Sequence, residues 1–256
     1  MANRIIALIG GLSKGGKTTS LHSLKNPEGV MYLNCEADKE LPFAAKFQTY
    51  TITDPYEVHN AFDFLKTTCE DPVKEANRAK IHTVVIDTAT MLMEMYFSKY
   101  VHTASEKKKF PAWANYAEYF KTLMQHHVSG SNVNVLFLAH VERTLNKDAM
   151  VMETKVPVQG QLARKGLEAY FTTIVSAKRV PITHIENFKN DLLTITPQEE
   201  MQGVKHIFQT QITKDTVEER LSSSMGMWKM EETFIDNNAQ FLLDRLHEYY
   251  GTTKAA

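Results

Sequence analysis

The chain has 256 residues, of which 43% are hydrophobic and 23% charged, an ordinary balance for a folded protein and enough length for one sizeable core. Its 29 basic and 30 acidic side chains leave a formal net charge of −1, so no global basic field points to nucleic acid, and any such contact must come from local patches. No apolar run approaches the ~20 residues that span a bilayer. The two cysteines, Cys35 and Cys69, make neither a disulfide framework nor a zinc site. With no leader-like segment at the start, the expectation is a reducing, cytoplasmic setting with no membrane contact.

Residues 4–10 form a short apolar run that reads as a buried strand. The run Gly11-Leu12-Ser13-Lys14-Gly15-Gly16-Lys17-Thr18 follows and fills every fixed position of the phosphate-loop pattern G-x-x-x-x-G-K-[ST]. Residues 18–24 read as the start of a helix, so the motif has the strand–loop–helix context it requires. The glycines let backbone N–H groups wrap a phosphate, and a helix start adds positive dipole. Lys17 is expected at the β/γ-phosphates, with Thr18 as a Mg²⁺ ligand. Gly11, Ser13, Lys14, Gly15, Gly16 and Thr19 complete the expected nucleotide contacts.

Residues 29–35 read as a second strand ending in Glu36-Ala37-Asp38. Val58, Ala61, Phe62 and Leu65 give residues 55–69 helical spacing, with Asp54-Pro55 as cap and first turn. Residues 70–80 are charged and expected to be exposed. Residues 81–88 form an apolar strand that delivers Asp87 to its carboxyl end, where a carboxylate beside the phosphate loop can hold Mg²⁺. A helix over about 89–101 precedes a predicted loop with Lys107, Lys108, Lys109 and Phe110, and a further helix runs from Trp113 to Val128. Residues 132–140 are a strongly β-prone strand ending in His140. Residues 142–160 are polar and aperiodic, which predicts a long loop. A helix over 162–170, a strand over 171–177, a hairpin region with a strand over 206–212, and an amphipathic helix over 239–250 complete the chain. The pattern predicts an α/β fold with a mostly parallel sheet, helices on both faces and a C-terminal hairpin region. Residues 1–250 make one domain and 251–256 a disordered tail.

In this order, Gly11–Thr18, Asn34–Asp38, Val84–Asp87, Leu136–His140 and, more weakly, Val158–Leu162 resemble the RecA-like P-loop ATPase core. The narrower resemblance is to core-only phage ATPases of single-strand annealing and recombination. It spans about residues 4–250. It implies ATP and Mg²⁺ bound between subunits of a homo-oligomer, ring or helical filament, and single-stranded DNA as partner, with a single-strand-binding protein as a further one. It also implies the host cytoplasm of a phage.

The same resemblance makes Glu36 the residue that polarises the attacking water, with Asp38 as competitor. A cap or a pair with Lys39 is the alternative for Glu36. It makes His140 a γ-phosphate sensor. It places DNA at two loops, one carrying Lys107, Lys108, Lys109 and Phe110, the other Arg143, Lys147, Lys155, Arg164 and Lys165. The lysine run reads equally well as a solvated face, while Trp113 and Tyr116 read better as packing residues. Lys214 and Arg220 become candidates for completing a neighbour's site, against surface pairing with Glu218 or Glu219. With the phosphate loop starting at residue 11, the expectation is a core without the N-terminal oligomerisation element of many recombinases, which would favour annealing over strand invasion by a long filament. Two other classes remain open: a P-loop nucleotide or nucleoside kinase, and a non-hydrolysing, ATP-gated binding or loader protein.

Overall fold

The computed structural model describes residues 3–146 and 150–251. In chain order they form β1 (Ile6–Gly11), β2 (Val30–Asn34), β3 (Gln48–Thr51), α1 (Tyr56–Lys66), α2 (Pro72–Lys80), β4 (Thr83–Asp87), α3 (Ala89–Tyr96), α4 (Glu106–Thr122) and β5 (Asn134–His140). The elements that follow are β6 (Glu142–Asn146), β7 (Val151–Lys155), α5 (Gly160–Lys165), β8 (Thr173–Pro181), α6 (Pro197–Gln202), β9 (Val204–Gln209), β10 (Phe234–Asp236) and α7 (Ala239–Tyr250).

Eight strands make one sheet in the order β10-β9-β8-β1-β5-β4-β2-β3, parallel from β3 to β8 and antiparallel across β8-β9-β10. The apolar runs in β1, β4 and β5 are continuous because both sheet faces are covered. Side-chain alternation splits each strand between two cores. Leu8 and Phe137 go to one face with Phe62, Leu92, Tyr116 and Phe120. Ile9 and Leu136 go to the other with Leu21, Phe208, Leu242 and Leu246. Helices therefore cover both faces, and the hairpin β9–β10 closes the C-terminal side, as the pattern predicts.

The register places the candidate residues. Gly11 lies opposite His140, Asn34 opposite Asp87, and Asp87 opposite Leu138. The carboxyl ends of β1, β2, β4 and β5 thus finish level along one sheet edge. β5 sits between β1 and β4, so Asp87 is not on the strand neighbouring the phosphate loop; His140 is.

Several expectations need correction. The helix after the phosphate loop is only a two-turn 3-10 helix, Thr18–Ser23. Residues 70–80 are exposed as expected but form α2, capped by the Asp71 side chain on Val73 N–H and Lys74 N–H. The edge strand β3 has too mixed a sequence for a strand reading. Lys107, Lys108, Lys109 and Phe110 are not on a loop; they form the first turns of α4, which continues through Pro111. The carbonyl that proline leaves without its helical donor belongs to Lys107, an exposed residue.

Most of the predicted 142–160 loop is the antiparallel hairpin β6–β7. Its ladder is made by backbone bonds, and it docks by Thr154 N–H to the Glu218 carbonyl (3.0 Å) and Arg143 to the Glu218 carboxylate (3.1 Å). Neither device leaves an apolar period in the sequence. Lys147 and residues 252–256 of the expected tail lie outside the described residues.

Candidate active site

The phosphate loop leaves β1 over the carboxyl edge. Lys14 (φ 62°) and Gly16 (φ 97°) take left-handed backbone, the kind of turn from which backbone N–H groups can face an anion, while Gly15 N–H closes onto the Leu12 carbonyl at 3.1 Å. Gly15 packs so close to β8 that a Cβ there would lie 2.7 Å from the Ala177 carbonyl oxygen. Lys17 folds back under the loop, only 5% exposed. Its ammonium donates to the Gly11 and Leu12 carbonyls at 2.9 and 3.0 Å and stands 3.2 Å from His140 Nδ1. Burial lowers its pKa to about 8, although Asp87 and Glu36 both oppose the shift.

Asp87 is 1% exposed. Thr18 Oγ1 and Tyr32 Oη both donate to Asp87 Oδ2, each at 2.8 Å. Asp87 Oδ1 is buried with no hydrogen-bond partner among the described residues. Burial raises the Asp87 pKa, against the two hydroxyl bonds. An orphaned carboxylate oxygen next to a threonine hydroxyl is a hard, oxygen-only donor set, and it fits Mg²⁺. Tyr32 carries no functional signal in the sequence. A tyrosine inside an apolar strand looks like core, and only the β2–β4 pairing brings it to Asp87.

Glu36 follows β2 and faces the same cleft. Its Oε1 accepts from His140 Nε2 at 2.8 Å and its Oε2 from Lys39 Nζ at 2.7 Å. The histidine bond, with the lysine, holds its pKa at about 2 despite partial burial. Because an ammonium can only donate, His140 Nδ1 accepts from Lys17 and Nε2 carries the proton to Glu36. Thr90 pins the strand end: its hydroxyl accepts from His140 N–H at 3.0 Å and faces the His140 carbonyl at 3.3 Å. Asp38 is engaged elsewhere, accepting from Thr51 Oγ1 at 2.6 Å.

These groups line one cleft of about 290 Å³, with Ser13 to Thr19 along one wall and Tyr32, Glu36, Lys39, Asp87 and His140 along the other. Gly11 lies beneath, where a Cβ would meet the Ala177 carbonyl at 2.6 Å. The structure thus brings together Gly11, Ser13, Lys14, Gly15, Gly16, Lys17, Thr18, Thr19, Glu36, Asp87 and His140. The cationic candidates lie outside this cleft. Arg143 and Lys155 are on the β6–β7 hairpin, and Arg164 and Lys165 in the last turn of α5. Arg220 pairs with Glu153 at 3.3 Å and Glu168 at 3.6 Å, not with Glu218 or Glu219. Lys214 is exposed. Trp113 and Tyr116 are packing residues: a Cβ at Gly160 would touch Trp113 at 2.8 Å, and Tyr116 is 1% exposed.

No helix among the described residues is long and apolar enough to cross a membrane. No curated sequence matches the chain significantly. A family model described as an AAA domain matches residues 3–217, which include the phosphate loop, Glu36, Asp87 and His140. With this match on a mostly parallel sheet that carries the phosphate loop, the chain belongs to the AAA domain family of P-loop ATPases.

Proposed function

We propose that this protein is a Mg²⁺-dependent ATPase that acts on single-stranded DNA as a homo-oligomer, in annealing or recombination. The observation that carries the hydrolytic part is the Lys17–His140–Glu36 chain. It puts an ionised carboxylate, a neutral imidazole and an ammonium in contact at the end of the cleft where the γ-phosphate of ATP would lie. Glu36 is held unprotonated and so can take a proton from a water aligned on that phosphate. Lys17 counters charge on the β/γ oxygens, and the loop N–H groups hold the rest of the triphosphate. Thr18 and Asp87 would hold Mg²⁺, which when bound would neutralise phosphate charge. A carboxylate clamped from two sides serves water activation better than the placing of a second substrate, which favours hydrolysis over the kinase reading.

Support for the DNA part comes from placement. α4 leads to the amino edge of the sheet, where the Ser129 carbonyl accepts from Asn3 N–H at 2.8 Å. Its first turns, with Lys107, Lys108 and Lys109, therefore lie toward the carboxyl edge, on the side of the β6–β7 hairpin. Phe110 is 84% exposed there, a ring available for stacking on an unpaired base. Because β6 begins two residues after His140, a change at the γ-phosphate end has a short covalent route to Arg143, and reaches Lys155 through its pairing with Glu142.

The test is steady-state phosphate release from Mg²⁺-ATP with and without single-stranded DNA, with Lys17→Ala as blank. Turnover stimulated by single-stranded DNA supports the proposal. Turnover indifferent to DNA removes the DNA part, and ADP formed only in the presence of a phosphate acceptor, without free phosphate, favours a kinase.

A further inference from the structure

The helix that normally follows a phosphate loop is here only the two-turn 3-10 helix Thr18–Ser23, and its N-cap makes no side-chain hydrogen bond. Within this stretch Ser20 N–H donates to the Gly16 and Lys17 carbonyls at 3.0 and 3.2 Å, and the chain adds a further hold from more than two hundred residues away. Between β10 and α7, Asn237 Nδ2 donates to the Gly16 carbonyl at 2.9 Å. A Cβ on Gly16 would lie 2.6 Å from the same Asn237 nitrogen and 3.1 Å from the His206 ring, so the loop is pressed directly against this wall. Asn237 Oδ1 is buried without a hydrogen-bond partner among the described residues. The amide is therefore kept in place with one of its polar atoms unsatisfied, an arrangement that costs stability.

The flanking residues make a strap. Asp236 pairs with buried Lys205 on β9 at 3.0 Å. Asn238 Oδ1 caps α7 by accepting from Gln240 N–H at 2.9 Å and Phe241 N–H at 3.1 Å. Gln240 then reaches the far end of the 3-10 helix: its N–H donates to Ser23 Oγ at 3.3 Å, and its Oε1 accepts from Lys25 N–H at 3.0 Å. The loop and the helix after it are thus tied at both ends to the start of α7.

We propose that Asn237 is a positioning residue of the phosphate loop, holding the Gly16 peptide outward so that the loop's N–H groups converge on a triphosphate. In left-handed backbone at Gly16, an N–H turned toward an anion requires a carbonyl turned away from it, and that carbonyl needs a donor. Ser20 N–H supplies one donor at 3.0 Å from within the turn, and Asn237 Nδ2 supplies the second at 2.9 Å from outside it. The inference rests on the nucleotide-binding reading of the cleft and concerns the phosphates only, not the base.

The experiment measures binding of Mg²⁺-ATP and of Mg²⁺-tripolyphosphate to the wild type, Lys17→Ala, Asn237→Ala and Asn237→Leu, with KM and kcat for ATP. The leucine variant is near-isosteric and removes the donor together with the unpartnered acceptor, so it keeps the wall packed if the alanine variant is unstable. Loss of one hydrogen bond of ordinary strength predicts binding weaker by about tenfold. The weakening should be equal for the two probes, with KM raised to match, kcat within about twofold, and unliganded melting of the leucine variant unchanged. Equal binding by wild type and both variants would overturn the proposal. So would weakening confined to ATP, which would make Asn237 a nucleoside contact. If the wild type binds neither probe, or binds both no better than Lys17→Ala, the nucleotide reading itself fails, a result distinct from either.

Discussion

His140 Nε2 donates to Glu36 Oε1 at 2.8 Å while Nδ1 of the same ring faces the Lys17 ammonium at 3.2 Å. One imidazole thus joins the phosphate-loop lysine to the carboxylate after β2, and it does so because β5 is inserted between β1 and β4. The bond to the ring uses one Glu36 oxygen and Lys39 the other, so the carboxylate is ionised and oriented before any substrate arrives.

Glu36→Gln should abolish chemistry while sparing binding. Phosphate release is expected to fall by ~10²–10⁴, the usual contribution of a positioned base, with ATP affinity within a few-fold of wild type. Unchanged turnover in this variant would remove Glu36 from the reaction. Single-turnover phosphate release beside equilibrium nucleotide binding separates the two effects.

Lys17 gives the site a pH signature. Burial brings its folded pKa to about 8, below the ordinary lysine value of 10.5, so the unliganded protein releases this proton over that window while the unfolded chain keeps it. The unfolded state then binds more protons, and unliganded stability gains a component that grows as pH rises from about 8 to 10.5. Nucleotide affinity should move oppositely, weakening above about pH 8 as the ammonium is lost. Denaturant melts of wild type and Lys17→Met across this range test the first statement, since the methionine variant should lack the rise. Binding titrations of the wild type test the second.

Tyr32→Phe removes one of two hydroxyls that hold Asp87 Oδ2 and leaves Thr18 as the other. Groups that orient a metal's ligands typically contribute about 10–100-fold to metal affinity. The Mg²⁺ concentration for half-maximal phosphate release should rise by about tenfold, with little change in the rate at saturating Mg²⁺. A Mg²⁺ titration that overlays the wild type's would show that the phenol is only packing.

Replacing Lys107, Lys108 and Lys109 together by Ala should leave the fold intact, because all three are exposed. Lys109 makes only a surface pair with Glu106 at 3.2 Å. If they touch single-stranded DNA, affinity falls and the slope of log K against log salt becomes shallower by about 0.7 for each phosphate no longer neutralised, or roughly 2 in all. Anisotropy titrations at several salt concentrations measure both quantities. An unchanged slope would assign the lysines to solvent.

Much of this molecule is legible from local sequence. The phosphate loop is contiguous, and its chemistry depends on residue types at fixed spacing, so Gly11 to Thr18 can be placed without knowing the fold. Asp87 and His140 end apolar strands, and an apolar run that stops at a polar residue marks the edge of a buried parallel sheet. Periodicity likewise exposes the α/β class and the amphipathic α7.

Other features depend on pairings distant in sequence, and there local patterns mislead or say nothing. The hairpin β6–β7 has no apolar period, since backbone hydrogen bonds and the Glu218 contacts hold it. Lys107–Lys109 read as a loop because Pro111 interrupts a pattern that the packing of Tyr116, Tyr119 and Phe120 sustains as helix. Tyr32 and Asn237 carry no motif at all. By itself, the sequence determined which groups can bind a triphosphate, because those groups are neighbours in the chain. Only the tertiary structure decided that His140 joins Lys17 to Glu36, that Tyr32 steadies Asp87 and that Asn237 braces Gly16. Hydrogen bonds act over about 3 Å, and sheet order and register alone bring such remote residues within that distance.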